Sequence, residues 1–122
     1  MSEPTSLLRN GDTAFCPYYH QALDIIGRRW AGAVIRALLT GLTRFNDIAN
    51  ACPGISHRVL AQRLRDLEQD GILTRHVYDE APVRIEYRLT DKGKALAEPV
   101  IMLTAWAEEW IRDRPGGAAS PS

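Results

Sequence analysis

Residues 44–73 read RFNDIANACPGISHRVLAQRLRDLEQDGIL. Apolar residues recur at helical spacing on both sides of a break at residues 52–54, Cys-Pro-Gly. This pattern predicts a short helix, a tight turn and a longer helix, which together form a helix-turn-helix unit. The residues predicted to pack the two helices against each other are Phe45, Ile48, Leu60 and Leu64.

The longer helix is bounded by Ser56, a good N-cap, and by Gly71, a common residue just beyond a helix end. Its face opposite the leucines carries forked hydrogen-bonding groups, and its acids fall in the last turns. Arginine can bind guanine O6 and N7 with two N–H groups, and glutamine can pair similarly with adenine. The helix is therefore predicted to enter the major groove of DNA, although an isolated helix of this kind is usually only a solvated face. The predicted base-reading residues are Ser56, His57, Arg58, Gln62 and Arg65, supported by Arg44 and by Thr43, the predicted N-cap of the short helix.

Directly after this unit the apolar period changes from 3.6 residues to 2. Residues 73–78 and 83–89 are predicted to form a β-hairpin with residues 79–82 as its polar tip. Pro82 has no N–H to donate, so it belongs to the tip. A helix-turn-helix followed by a hairpin is a winged helix, and the wing lies near the DNA backbone or the minor groove. The predicted wing contacts are Arg84 and Arg88, which share the polar face of the second strand with Glu86.

Further helices are predicted at residues 17–26, 30–39 and 90–114, with Pro99 expected to kink the last one or to start a new turn there. The last helix is apolar nearly all round, so we expect it to be buried on more than one side, with a second copy of the chain as the cover. The predicted fold is mainly α with a small β-hairpin, a winged helix-turn-helix whose N- and C-terminal helices form a dimer interface. The predicted interface residues are Tyr19, Leu23, Leu96, Val100, Leu103, Trp106 and Trp110.

The composition of the 122-residue chain is balanced, with 15 basic and 15 acidic residues. This balance argues against a generic polyanion binder, but a nucleic-acid reader needs only a local cluster of positive charge. No apolar run reaches the roughly 18 to 20 residues of a membrane span, and none near the start resembles a signal peptide. Two cysteines make no disulfide framework, so a cytoplasmic location is expected. One domain is predicted over residues 13–114, between a flexible arm at 1–12 and a disordered tail at 115–122.

Six short segments carry a resemblance to a known family. They are Cys16-Pro17, 22–30 (ALDIIGRRW), 44–48 (RFNDI), 53–56 (PGIS), 60–71 (LAQRLRDLEQDG) and 83–90 (VRIEYRLT). In this order they resemble the HxlR-type bacterial transcriptional regulators, winged-helix proteins related to the MarR group. The resemblance implies a homodimer that places two recognition helices in successive major grooves of a pseudo-palindromic operator, about 34 Å apart. It also implies control of transcription, often of stress or detoxification genes. Repression is expected because it is usual in this family. The chain departs from the family at Arg29, where Lys is usual.

Cys16 precedes Pro17 at the start of the first helix, where the positive end of the helix dipole favours a thiolate. In several HxlR-type proteins the cysteine at this position senses oxidants, quinones or aldehydes. The resemblance therefore makes Cys16 a candidate redox sensor and an oxidant or small molecule a candidate effector. The alternative is that Cys16 is a small buried residue at the dimer interface. Cys52 is expected to be plain packing.

Two further sets of residues have the spacing or composition of a ligand site. Cys16, His20 and Asp24 are spaced by four and share a helix face, but no fourth metal ligand is evident, so no metal is predicted. Aromatic residues near the N-terminus could line a small-molecule pocket between helices or belong to the core. These residues are Tyr18, Tyr19 and Trp30.

Two other classes of function compete with DNA binding. The chain shows no nucleophile–base pair, Gly-rich phosphate loop or paired acids, so neither enzyme activity nor a cofactor is predicted. A winged-helix protein-interaction module without DNA binding is the main alternative. Such a module would be expected to carry apolar or acidic residues where Arg58, Gln62 and Arg65 stand.

Overall fold

The computed structural model describes residues 14–112, so the predicted arm and tail lie outside the described part of the chain. Its elements follow the predicted order, with helices on both sides of a helix-turn-helix and a hairpin. They are α1 (Pro17–Ile26), α2 (Ala31–Leu39), α3 (Phe45–Ala51), α4 (His57–Gln69), β1 (Leu73–Tyr78), β2 (Arg84–Leu89), α5 (Asp91–Lys94) and α6 (Ala97–Trp110). The architecture is the winged helix-turn-helix that the sequence predicts.

The core forms where α2, α3 and α4 meet the start of the hairpin. The apolar spacing of α4 places Leu60, Leu64 and Leu67 on its buried face. These side chains pack with Ile48 of α3, as predicted, and with Ile35 of α2. Because one face of α4 is committed to this core, its other face is left to solvent.

Side-chain capping fixes the start of α4 but not that of α3. The Ser56 hydroxyl accepts a hydrogen bond from the Val59 N–H at 3.1 Å, which confirms the predicted N-cap. The prediction that Thr43 caps α3 is wrong, because Arg44 occupies the N-cap position and no side chain caps it. Instead, the Thr43 carbonyl accepts a hydrogen bond from the Tyr87 N–H at 2.8 Å. This bond ties the loop before α3 to the second strand of the hairpin.

The hairpin pairs β1 and β2 in antiparallel register, from Leu73 opposite Leu89 to Tyr78 opposite Arg84. The second strand begins one residue later than predicted, since Val83 lies in the tip and is 58% exposed. Burial along the strand does not follow the predicted alternation, because Glu86, on the predicted polar face, is its most buried residue.

The prediction of a single helix after residue 90 is wrong, because the chain forms two helices there, α5 and α6. The Thr90 hydroxyl caps α5 by accepting a hydrogen bond from the Gly93 N–H at 3.1 Å. Gly93 is buried, and a Cβ at this position would collide with the Ile72 carbonyl. Pro99 lies in the first turn of α6, where its missing N–H is tolerated, so it starts a helix rather than kinking one.

Candidate nucleic-acid interface

The predicted base-reading residues are all exposed, four of them on α4 and the fifth, Ser56, at its N-cap. Two of these side chains are in contact, since Arg65 Nη2 donates to Gln62 Oε1 at 3.0 Å. Arg58, one turn earlier, makes no side-chain hydrogen bond or ion pair with any residue in 14–112. The exposed face of α4 therefore offers one free guanidinium and one linked arginine–glutamine pair.

His57 lies at the first position of α4 and is in contact with α3. Its ring stands edge-on to the Phe45 ring, with centroids 5.3 Å apart and planes at 88°. This edge-to-face geometry is favourable for aromatic pairs. The imidazole thus helps to set the angle between the two helices of the helix-turn-helix while it stays exposed.

Asp66 joins the exposed face of α4 to the rest of the protein. Its carboxylate accepts hydrogen bonds from Gln62 Nε2 at 2.8 Å and from Arg63 Nη1 at 2.7 Å, and Arg28 Nη1 lies 3.8 Å away. Partial burial raises the pKa of Asp66, but the hydrogen bonds from Gln62 and Arg63 and the charges of Arg28 and Arg63 outweigh it, so the pKa lies below its ordinary value. Asp66 is therefore a carboxylate that orients Gln62.

From the sequence, Asp66 is only one of the acids in the last turns of the predicted helix. A local signal was available, because residues three and four apart on a helix are neighbours and Gln62 and Arg63 stand at those distances. The contact with Arg28 had no such signal. Arg28 also binds Asp70 at 3.3 Å, across 42 positions of sequence.

The turn between α1 and α2 contacts both α4 and the turn that precedes it. Near the middle of α4, Arg63 Nε donates to the Arg29 carbonyl at 2.8 Å. At the N-terminal side, the Trp30 ring lies 3.8 Å from where a Cβ on Gly54 would stand, in the turn before α4. Trp30 was predicted to begin α2, but it is the N-cap and has a left-handed φ of 72°. Such a φ is unusual for a bulky residue and marks a backbone that its surroundings hold in place.

The wing is defined as residues 73–89. Its polar face is centred on Glu86, which is only 8% exposed. Arg88 Nη2 donates to Glu86 Oε1 at 2.6 Å, and Arg84 Nη1 lies 3.3 Å from Oε2. Arg84 also lies over the Tyr78 ring, 4.3 Å from its centroid. The hydrogen bond from Arg88 and the charges of Arg88, Arg84 and Arg44 lower the pKa of Glu86 despite its desolvation. Arg84 and Arg88, predicted as exposed wing contacts, are therefore bound to the carboxylate of Glu86. The sequence predicts that Glu86 shares their face of the strand, but it does not predict that Glu86 is buried.

The larger exposed apolar side chains are concentrated on two helices, α1 and α6. Together they are called the apolar face, and they include five of the seven predicted interface residues. Leu96 and Val100 differ from the others, because they pack against the core of their own chain. The apolar face also includes large side chains that the sequence reasoning did not select, namely Tyr18, Ile101 and Met102. The predicted residues exposed there are Tyr19, Leu23, Leu103, Trp106 and Trp110.

The two cysteines lie in different environments. Cys16 is the N-cap of α1 and is half-buried. Cys52 is buried in the core, and burial raises the pKa of its thiol. Within residues 14–112 no three His, Cys, Asp or Glu side chains are placed to hold a metal ion, and this includes the spacing at Cys16, His20 and Asp24.

The aromatic residues near α1 do not line a common pocket. Trp30 packs against the core, whereas Tyr18 is 80% exposed and Tyr19 belongs to the apolar face. None of the helices in the described part of the chain combines the length and apolarity needed to cross a membrane.

A helix-turn-helix with an exposed arginine–glutamine face and an adjoining hairpin is the architecture of winged-helix transcriptional regulators. Residues 25–115 match the family described as HxlR-like helix-turn-helix, and the chain belongs to this family. The relatives in this family are transcriptional regulators of the helix-turn-helix type rather than enzymes.

The chain is 49% identical over 96 residues to the HTH-type transcriptional regulator YvaP of Bacillus subtilis. The aligned segment covers 79% of this chain and 89% of YvaP. The structure is similar to that of quinone-bound YodB from B. subtilis, with 38% identity, a TM-score of 0.67 and coverage of 79% of this chain and 100% of that one. It is also similar to the redox regulator HypR in its oxidised form, with 38% identity, a TM-score of 0.72 and coverage of 82% and 99%.

Proposed function

We propose that this chain is a cytoplasmic, sequence-specific DNA-binding regulator that acts as a homodimer and represses stress or detoxification genes. The observation that carries the proposal is the exposed face of α4. It presents Arg58, Gln62 and Arg65 on a helix whose opposite face is fixed in the core. These are side chains that can bind guanine and adenine edges in the major groove.

The apolar face supports the homodimer. Large aromatic and aliphatic side chains on α1 and α6 are exposed, and a second copy of the chain could cover them with its own equivalent residues. A twofold dimer would present two α4 helices to successive major grooves, about 34 Å apart, and the operator would be pseudo-palindromic.

Cys16 supports an effector-controlled regulator. Its thiol is half-buried at the N-terminus of α1, beside the apolar face, so a covalent change there would act on the proposed interface. YodB has been crystallised with quinone, and HypR is described as a redox regulator. An oxidant or quinone-like electrophile is therefore the effector class we propose.

The test is a fluorescence-anisotropy titration of the protein with its own upstream DNA and with a scrambled duplex, at several salt concentrations. Arg58→Ala and Arg65→Ala should each cost about 1–3 kcal/mol of binding to the upstream DNA, because a bidentate contact with guanine is lost. Lys94→Ala on α5 is the matched charge-loss control and should bind like the wild type. If wild-type protein binds both duplexes equally weakly, the interaction-module alternative is favoured.

A further inference from the structure

The wing has no excess of positive charge to offer to DNA. Residues 73–89 contain three arginines, Arg75, Arg84 and Arg88, and three acids, Asp79, Glu80 and Glu86. A wing that adds affinity through phosphate contacts alone would be expected to carry a basic surplus. The balance in this wing points to a role other than general attraction.

Among the described residues Glu86 is the charged side chain that the fold buries, and both wing arginines of β2 converge on it. Arg88 contacts Glu86 Oε1 through both Nε and Nη2, at 3.1 and 2.6 Å. Arg84 makes more contacts at longer distances: it lies 3.3 Å from Glu86 and 3.2 Å from Glu80, and it stacks over the Tyr78 ring. The Nε atom of Arg84 is buried and finds no partner within the described part of the chain. Burying an N–H without a hydrogen-bond partner costs free energy, so the position of this guanidinium is fixed by its surroundings.

An arginine bound in this way must give up a carboxylate contact before it can bind a phosphate. The short bond from Arg88 to Glu86, at 2.6 Å, is of the charge-assisted kind that is among the stronger hydrogen bonds in proteins, so Glu86 opposes the exchange. Glu86 therefore competes with the DNA backbone for Arg84 and Arg88. The competition weakens the attraction of the wing to the backbone of any DNA duplex, whatever its sequence. The proposed base contacts of α4 are left unchanged.

We propose that Glu86 is a specificity-determining residue that lowers the affinity of the wing for non-cognate DNA by holding Arg84 and Arg88. This inference rests on the proposed DNA-binding function. Glu86 acts through the two arginines, so it is a positioning residue and need not touch DNA. Its position opposite His76 in the hairpin register places it at the middle of the wing, within reach of both arginines two residues away on either side.

The test compares Glu86→Gln with wild type for binding to a scrambled duplex as a function of salt. Glu86→Gln should bind the scrambled duplex more tightly, and the slope of log K against log salt should steepen by about 1 to 2, since each added phosphate contact contributes about 0.9. The ratio of affinities for the upstream and scrambled DNA should fall. Glu80→Gln is the matched control, because it removes the same charge from the same wing but contacts only Arg84.

A double-mutant cycle separates positioning from simple charge. If Glu86 acts through Arg88, the effect of Glu86→Gln should shrink when Arg88→Gln is already present. Equal effects of Glu86→Gln and Glu80→Gln, an unchanged salt slope, or a loss of binding to both duplexes would each overturn the inference. Should Glu86→Gln fail to fold, Glu86→Asp, which shortens the reach to Arg88, should shift the slope in the same direction. A wild-type protein that does not bind its upstream DNA would instead contradict the proposed function.

Discussion

Gln62 donates a hydrogen bond to Asp66, with Nε2 and Oδ1 2.8 Å apart on adjacent turns of α4. This bond decides which end of the amide points in which direction, since the oxygen of Gln62 is turned toward Arg65. An amide that is oriented before its ligand arrives loses less conformational entropy on binding, as the proposed base contact of Gln62 would require. The same carboxylate is bound by Arg63 and lies near Arg28, so the exposed face of α4 is connected to the turn that follows α1.

Replacing Asp66 by Asn should reduce stability at neutral pH and have little effect in acid. The folded protein holds the pKa of Asp66 below its ordinary value of 3.8, so the carboxylate stabilises the fold above about pH 4 and this contribution is lost as pH falls through the lowered pKa. Urea unfolding of wild type and Asp66→Asn between pH 7 and pH 3 should show a difference in unfolding free energy that shrinks below pH 4. Asp79→Asn, an exposed aspartate in the hairpin tip, should show no such trend.

Adding a methyl group at Gly93 should destabilise the protein by about 1–3 kcal/mol, the usual cost of overpacking. A Cβ there meets the Ile72 carbonyl and lies 2.9 Å from the Leu89 side chain, so the hairpin would have to move away from α5. Gly32→Ala is the control, because its Cβ would find no atom nearer than 3.7 Å and alanine favours a helix. Thermal unfolding should place the midpoint of Gly93→Ala well below those of wild type and Gly32→Ala. Equal midpoints for the two variants would contradict the close contact at Gly93.

A charge placed on the apolar face should dissociate the proposed dimer. Trp106 is 54% exposed on α6, and a lysine there would have to be desolvated in any interface that covers it. Sedimentation equilibrium should show wild type as a dimer and Trp106→Lys shifted toward the monomer. Val77→Lys on the hairpin removes a similarly exposed apolar side chain (55%) and should leave the dimer intact. A monomeric wild-type protein would rule out this assembly.

Oxidation should change DNA binding through Cys16 alone. Diamide treatment of wild type should alter the affinity for the upstream DNA, whereas Cys16→Ser should be insensitive. Cys52→Ala should respond like wild type, because the Cys52 thiol is buried and burial raises its pKa, which disfavours the reactive thiolate. The readout is the same anisotropy titration with and without diamide. A full response in Cys16→Ser would remove Cys16 as the sensor.

The helices and strands were predictable from sequence because their causes lie among near neighbours. Leucines at helical spacing place one face of α4 in the core, and Ser56 caps its own helix through an N–H three residues away. The change of period from 3.6 to 2 likewise marks the hairpin. The exposed face of α4 followed from the same spacing, so its candidate residues could be selected before any coordinates.

Errors arose where a distant contact outweighed a local preference. Thr43 is a reasonable N-cap by residue type, but its carbonyl is bound to the Tyr87 N–H. Arg44 occupies the N-cap position instead, without a side-chain hydrogen bond. The apolar stretch after residue 90 could continue as one helix, yet it divides after Lys94, one residue beyond Gly93, which packs against Ile72, 21 positions earlier in the chain. Periodicity cannot report either contact.

By itself the sequence determined the order of elements, the winged helix-turn-helix and the side of α4 that is free, because hydrogen bonding and apolar spacing within a few residues are enough to specify them. Only the tertiary structure decided that Asp66 is shared between Gln62 and Arg28, and that Glu86 is buried between two arginines. The charge that a side chain experiences depends on which residues folding brings within a few ångströms of it, and most of those are far away along the chain.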